Sequence, residues 1–264
     1  MTTYSLQSYS RIFWKLFKTD MIIFSKALAG NMFDVMIWVF GYVGVAAYIF
    51  PQLGMTTSMG QFMAVSSVVN CSIFEIWSVT STFISDLCGR KTITYPLTLP
   101  LPSWLVLVKN ACVYAIRSMV FGMCVLPLTK LLLWNRMDLS QMCIPKFLVI
   151  FIAINFFGGF FALFTASLVK DMNVIGSVWT RIIFPLWLLG CSQFSWQTIY
   201  DMSPTFAYVS LANPFLYLME GMRGTVLGQQ GSISFWICLP VIVAASAFFG
   251  WIGIRRIKRR LDFV

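Results

Sequence analysis

The side chains able to do chemistry are sparse in this 264-residue chain, and their spacing excludes more than it permits. It has no histidine, which removes Ser-His-Asp and Cys-His nucleophilic sites, His-ligated zinc and the HExxH signature. Seven cysteines at 71, 88, 112, 124, 143, 191 and 238 form no CxxC pair. Odd in number and set mostly in apolar runs, they read as small buried hydrophobes. The nine acids are Asp20, Asp34, Glu75, Asp86, Asp138, Asp171, Asp201, Glu220 and Asp262, and no two stand within five residues of one another. A magnesium site of the kind that membrane phospho-alcohol transferases use would therefore need tertiary contact to assemble. The segment Gly89-Arg90-Lys91-Thr92 does not complete a phosphate loop, because Arg90 interrupts the GK[ST] succession and Ile84 stands at the leading glycine. No ATP site or other cofactor site is expected on this chain.

Ionisable groups inside apolar stretches are functional candidates, since each costs about 2.5–3.5 kcal/mol on insertion scales. Glu75 stands well inside one such stretch with Asn70 five residues before it, and Arg117 lies deep in the next. Two readings stay open: a Glu75–Arg117 pair within a helix bundle, or a polar lining for a translocation path. Asp34, near the start of the first stretch, is expected to be solvated or to pair with Lys26 or Arg11. Glu220 and Arg223 are three apart, on adjacent helical positions, and read either as a local salt bridge or as a gate. Trp179, Trp187, Trp196 and Tyr200 are the aromatic candidates for a path, although most aromatics here read as lipid-facing bulk and interfacial belts.

The elements that must position these groups are membrane helices. Composition is 59% hydrophobic, 17% aromatic and 11% charged, far from a soluble average near 25% charged. Apolar runs at Met32–Pro51, Phe62–Ile84, Trp104 to about Trp134, Phe147–Val169, Val178 to about Phe194 and Phe235–Ile254 predict six crossings, each near the 20 residues a bilayer requires. The fold class expected is all-α: a polytopic single domain over 1–264, with no room for a soluble catalytic domain and no removable signal peptide. Of the 19 basic residues, 14 flank the even-numbered loops and the two ends, which places both termini on the cytoplasmic side. The net charge of +10 is thereby topology information, and no nucleic-acid partner is expected.

Two further stretches are patterned. Residues 10–28 align Arg11, Lys15, Lys18 and Lys26 opposite a broad apolar face, as in an interfacial amphipathic helix that anchors to lipid or presents its basic face to a cytoplasmic protein. Residues 194–232 are too long for a turn. Asn213 and Pro214 give a helix start and Gly228 a stop, and a short helix near Trp196–Met202 ends before Pro204. Apolar yet broken, this segment is expected to re-enter the outer leaflet between spans five and six.

In this order of elements the chain resembles the permease subunit of type-2 ATP-binding-cassette exporters, the group that exports bacterial polysaccharides, teichoic acid, nodulation factors and drugs. The likeness covers essentially the whole sequence. It rests on the amphipathic start, two spans, the basic loop DLCGRKTITYPLTLPLPSW within 85–103 and its edge, four more spans, and NPFLYLMEGMRGTVLG before the last. The resemblance implies that Arg90, Lys91, Thr92, Pro100 and Pro102 form a coupling region, served also by Lys15 and Lys18 of the connector helix. It likewise implies that Asn213, Pro214, Tyr217, Arg223 and Gly228 belong to outer re-entrant helices. Family members often carry glutamates in the coupling turn, where this chain has Ile93, Thr94 and Tyr95. The implied partners are a separate ATPase subunit that binds Mg-ATP, a second copy or homologous permease, and lipid. The implied cargo is an amphipathic glycan, lipid-linked sugar, lipid or drug. An ion-gradient-driven secondary transporter or channel is the alternative.

Overall fold

The computed structural model describes residues 6–56, 58–86, 99, 101–169, 171–229 and 231–261, and among them every regular element is helical. Six helical segments there are long and apolar enough to cross a bilayer: Tyr9–Leu53, Met59–Ser85, Ser103–Leu133, Ile144–Leu168, Met172–Leu189 and Phe235–Arg260. Each of the six expected apolar runs overlaps one of these helices.

Helix α1 (Leu6–Gly44) is a single rod of 39 residues, about 58 Å long at 1.5 Å per residue. No bend separates the basic segment 10–28 from the first span, because no proline interrupts the stretch and Gly30 is tolerated inside a helix. The segment also does more than cover a surface. Phe24 is buried edge-on against Phe121, 5.6 Å between ring centres. The rod ends in a π turn (Val45–Ile49) and a 3-10 turn (Phe50–Leu53), then Gly54 at φ 84°. Pro51 explains the loosened turn, since its ring excludes the normal ladder to the preceding carbonyls.

Helices α2 (Met59–Ser85), α3 (Ser103–Leu133) and α4 (Ile144–Leu168) form the core of the bundle, and α4 packs on α2, α3 and the last helix. Small residues permit the approach: a Cβ on Gly159 would stand 2.4 Å from the Ala111 carbonyl oxygen, and one on Gly158 2.1 Å from Ser72 Oγ. Between them Thr80 and Thr165 share a buried hydrogen bond of 2.9 Å.

The fifth span is segmented. Asp171 Oδ1 accepts the Asn173 N–H at 2.9 Å to open a 3-10 turn (Met172–Val174). There follow α5 (Ile175–Val178), a π turn (Trp179–Ile183) and α6 (Phe184–Leu189), with Pro185 just beyond the π turn as Pro51 is beyond the first. Three shorter helices come next: α7 (Trp196–Met202), α8 (Pro204–Ser210) and α9 (Pro214–Val226). Helix α10 (Phe235–Leu261) carries the RRIKRR run inside its last turns, where Arg260 Nη1 donates to the Val169 carbonyl at 2.5 Å.

Burial is unequal. In the most apolar stretch of each span, 72% of residues are buried in the second, but only 22% in the first, 17% in the fifth and 28% in the sixth. The bundle has a covered centre and an uncovered apolar rim.

Candidate functional site

The helix caps between the fifth span and α10 follow the local sequence. Ser195 and Ser203 accept from Thr198 N at 3.1 Å and Phe206 N at 3.5 Å, and Asn213 Oδ1 accepts from Phe215 N at 3.0 Å. Pro214 sits in the first turn of α9, where its missing N–H has no ladder partner to lose. The Asn213 amide also donates to the Leu186 carbonyl at 2.7 Å, so the cap ties α9 to the fifth span. Tyr217 donates to the Leu211 carbonyl at 2.9 Å, and Gly228, at φ 100°, ends the segment against Gln141.

Glu220 and Arg223 form the densest polar cluster of this region. Arg223 Nη1 meets Glu220 Oε1 at 3.2 Å, and both side chains are buried. The guanidinium donates to Ser66 Oγ through Nη2 at 2.7 Å and Nε at 3.2 Å. It also donates to the carbonyls of Cys191 at 2.5 Å, Ser192 at 3.0 Å and Phe194 at 3.2 Å. Its plane covers the Phe62 ring, 3.6 Å from the centre. Glu220 in turn accepts backbone N–H groups of Trp196 at 3.1 Å and Ile233 at 3.4 Å. One ion pair thus joins α9 to α2, to the turn after the fifth span and to the start of α10. Cys191, at φ 62°, turns its carbonyl into the cluster, a conformation costly for a non-glycine residue and repaid here by a charge-assisted bond.

The second cluster lies within the spans. Arg117 Nη2 stands 2.7 Å from Glu75 Oε1, and the guanidinium lies 5.2 Å from the Phe24 ring centre. The two residues singled out in separate apolar runs are therefore partners. Glu75 also lines an open groove of about 340 Å³ between α1 and α2, together with Asp34, Asn31 and Ser78 on its polar side and Trp38 and Phe74 on its aromatic side. Trp38 and Phe74 meet edge to face at 5.1 Å, and Phe74 continues the wall to Trp179 at 6.2 Å and Trp187 at 5.9 Å. Asn70 enters this wall from α2: its Oδ1 accepts from Trp187 Nε1 at 2.7 Å, which ties the fifth span to the second. Trp179 stacks edge-on to Trp77 at 5.4 Å. Glu75, Arg117, Trp179 and Trp187 therefore belong to one neighbourhood, and Asn70 joins them through Trp187.

The other expected positions are dispersed. Lys15 and Lys18 are exposed on α1, Trp196 and Tyr200 pack with each other on α7, and Arg90, Lys91, Thr92 and Cys88 lie outside the described residues. Cys71, Cys191 and Cys238 are buried as expected, but Cys124 is exposed, because it sits on the rim face of α3. Lys109, one of the 14 basic residues assigned to cytoplasmic flanks, is buried on α3 and paired with Asp20 of α1. Asp34 makes no ion pair with Lys26 or Arg11: the three described ion pairs use other residues. Sequence reasoning missed Ser66, Phe62, Lys109 and Asp20. A lysine six residues into an apolar run was the available signal for Lys109; nothing local marks Ser66 as an arginine acceptor. The chain matches no protein-family model, and no curated protein or solved structure is significantly similar to it.

Proposed function

We propose that this chain is the membrane-spanning subunit of an ATP-driven exporter, one half of a path whose other half is a second permease and whose energy comes from a separate ATPase. The observation that carries the reading is the uneven wall. The first and fifth spans are the least covered of the six, and the groove of Glu75, Asp34, Trp38 and Phe74 opens beside them. A side-by-side partner would cover that rim and convert an open groove into an enclosed one. The order of elements, which resembles type-2 exporters, supports the same reading.

In this arrangement both termini and the 85–103 loop face the cytoplasm, and α7 to α9 re-enter the outer leaflet, held by the Glu220–Arg223 cluster. Such a clamp would keep the outer helices rigid with α2 and α10 while the rods below them tilt. The loop would receive the ATPase's motion, with Arg90 and Lys91 contributing charge to the docking face.

The reading is tested in reconstituted vesicles. The tagged chain should co-purify from its native membrane with a protein that carries a complete GxxxxGK[ST] loop, and the double variant R90E/K91E should lose that protein while remaining folded. Single cysteines placed at Gln229 and Phe263 in a cysteine-free background should label from opposite faces. Transport by the chain alone that collapses with the proton gradient and ignores ATP would overturn the proposal in favour of a secondary transporter.

A further inference from the structure

We propose that the groove between α1 and α2 is a binding site for an amphiphilic organic cation, a single positive charge carried on an apolar body. The inference rests on reading the chain as a permease and narrows its cargo.

The charge inventory of the groove is the first argument. Its lining holds two carboxylates, Asp34 and Glu75. Glu75 is already neutralised by Arg117 at 2.7 Å, whereas Asp34, exposed on α1, has no cationic partner among the described residues. Lys109, a further buried cation on α3, is held by Asp20 and so is not available to Asp34. The groove therefore carries one uncompensated negative charge, exposed at its mouth beside apolar and aromatic surface. A cationic ligand is attracted to that charge, and an anionic one is repelled.

The walls supply the second argument. Trp38 and Phe74 line the groove in an edge-to-face pair, and an indole face is the best of the aromatic partners for a cation. Their apolar surface continues to Trp77 and Trp179, giving an attached apolar body somewhere to lie. The volume, about 340 Å³, is that of a site for a small organic molecule. A neutral sugar could use Asn31 and Ser78, but it would leave the Asp34 charge unanswered.

The test uses the full chain in phosphatidylcholine nanodiscs without ATPase or ATP, with radiolabelled tetraphenylphosphonium as probe and empty nanodiscs as blank. Saturable binding is expected, weakened at least about tenfold in D34N and about fivefold in W38L, which keeps apolar bulk but removes the indole face. D138N, in an exposed loop, should bind as the parent chain does. Tetraphenylborate, of the same shape and opposite charge, should not compete, nor should an alkyl glucoside. Binding that is unchanged in both D34N and W38L, with helical circular dichroism intact, overturns the inference, as does equal competition by the borate or the glucoside. Because no ATPase is present, absent binding alongside intact ATP-driven export refutes this inference alone, and intact binding by a chain whose transport proceeds without any ATPase refutes the export reading alone.

Discussion

Arg223 and Glu220 are a pair, but their environments predict very unequal consequences when either is neutralised. Replacing Arg223 by Met removes every donor to Ser66 Oγ and to the carbonyls of Cys191, Ser192 and Phe194, and leaves the fully buried Glu220 carboxylate with only two backbone N–H groups, at 3.1 and 3.4 Å. Breaking a buried pair in this way costs about 3–5 kcal/mol. Glu220→Gln differs, because the amide oxygen still accepts from Trp196 and the guanidinium keeps Ser66, three carbonyls and the Phe62 face. The charge on the bond to Arg223 and the acceptor for the Ile233 N–H are lost, together worth about 1.5–3 kcal/mol. R223M should therefore be about 2 kcal/mol worse than E220Q. The double variant should cost less than the sum of the two, since the carboxylate stranded by R223M is gone. Unfolding by sodium dodecyl sulfate from dodecylmaltoside micelles, followed by far-ultraviolet circular dichroism, measures all three. Equal costs, a reversed order or strict additivity would refute the account of this cluster as an arginine-centred clamp.

Other consequences are local. Gly159→Ala drives a methyl group to 2.4 Å from the Ala111 carbonyl oxygen and should cost about 1–3 kcal/mol, whereas Gly41→Ala on α1 meets nothing within 4 Å and should stabilise by about 0.5–1 kcal/mol; thermal midpoints should shift in opposite directions. A double-mutant cycle on Thr80→Val and Thr165→Val should return a coupling of about 0.6 kcal/mol for their hydroxyl bond, and zero coupling would show that each finds another partner in the bundle. In the loop between α3 and α4, the Ser140 N–H at 2.8 Å from Asp138 Oδ1 holds that carboxyl below its ordinary value of 3.8. A folded value lowered in this way contributes stability above the unfolded pKa, and the contribution fades as pH falls through the folded one. A carboxyl carbon titration should show the depressed midpoint and its return toward the ordinary value in Ser140→Pro, which removes the donor.

The helical architecture was legible because its signals are local. Twenty-residue apolar runs, an Asn-Pro start, a proline at 204 and a glycine stop each act within a few residues, and each appears where the sequence places it. The boundary of the first element was not legible. Amphipathic patterning over 10–28 describes a surface, and whether the next residues bend away from it depends on packing partners such as Phe121, 97 positions on from Phe24. The site was legible in half. Apolar context flags Glu75, Arg117, Glu220 and Arg223 because charge is costly there, but it cannot say which acid meets which base, and the backbone carbonyls that surround Arg223 carry no sequence signature at all.

That cost also explains how the charges are distributed. Lys109, Arg117 and Arg223 each meet a carboxylate: Asp20 from α1, Glu75 from α2, and Glu220 one turn earlier on α9. The first two pairs cross between helices, so they fix α1 and α2 against α3 as well as cancel charge. The third is nearly intrahelical, and its reach across the bundle comes from the surplus donors of arginine rather than from the ion pair, which is why lysine could not replace it. Pairing of this kind makes the exception informative. Asp34 is a carboxylate exposed on α1, and among the described residues no cation pairs with it. A carboxylate left unpaired at the mouth of an aromatic groove is better explained by what binds there than by what the bundle needs.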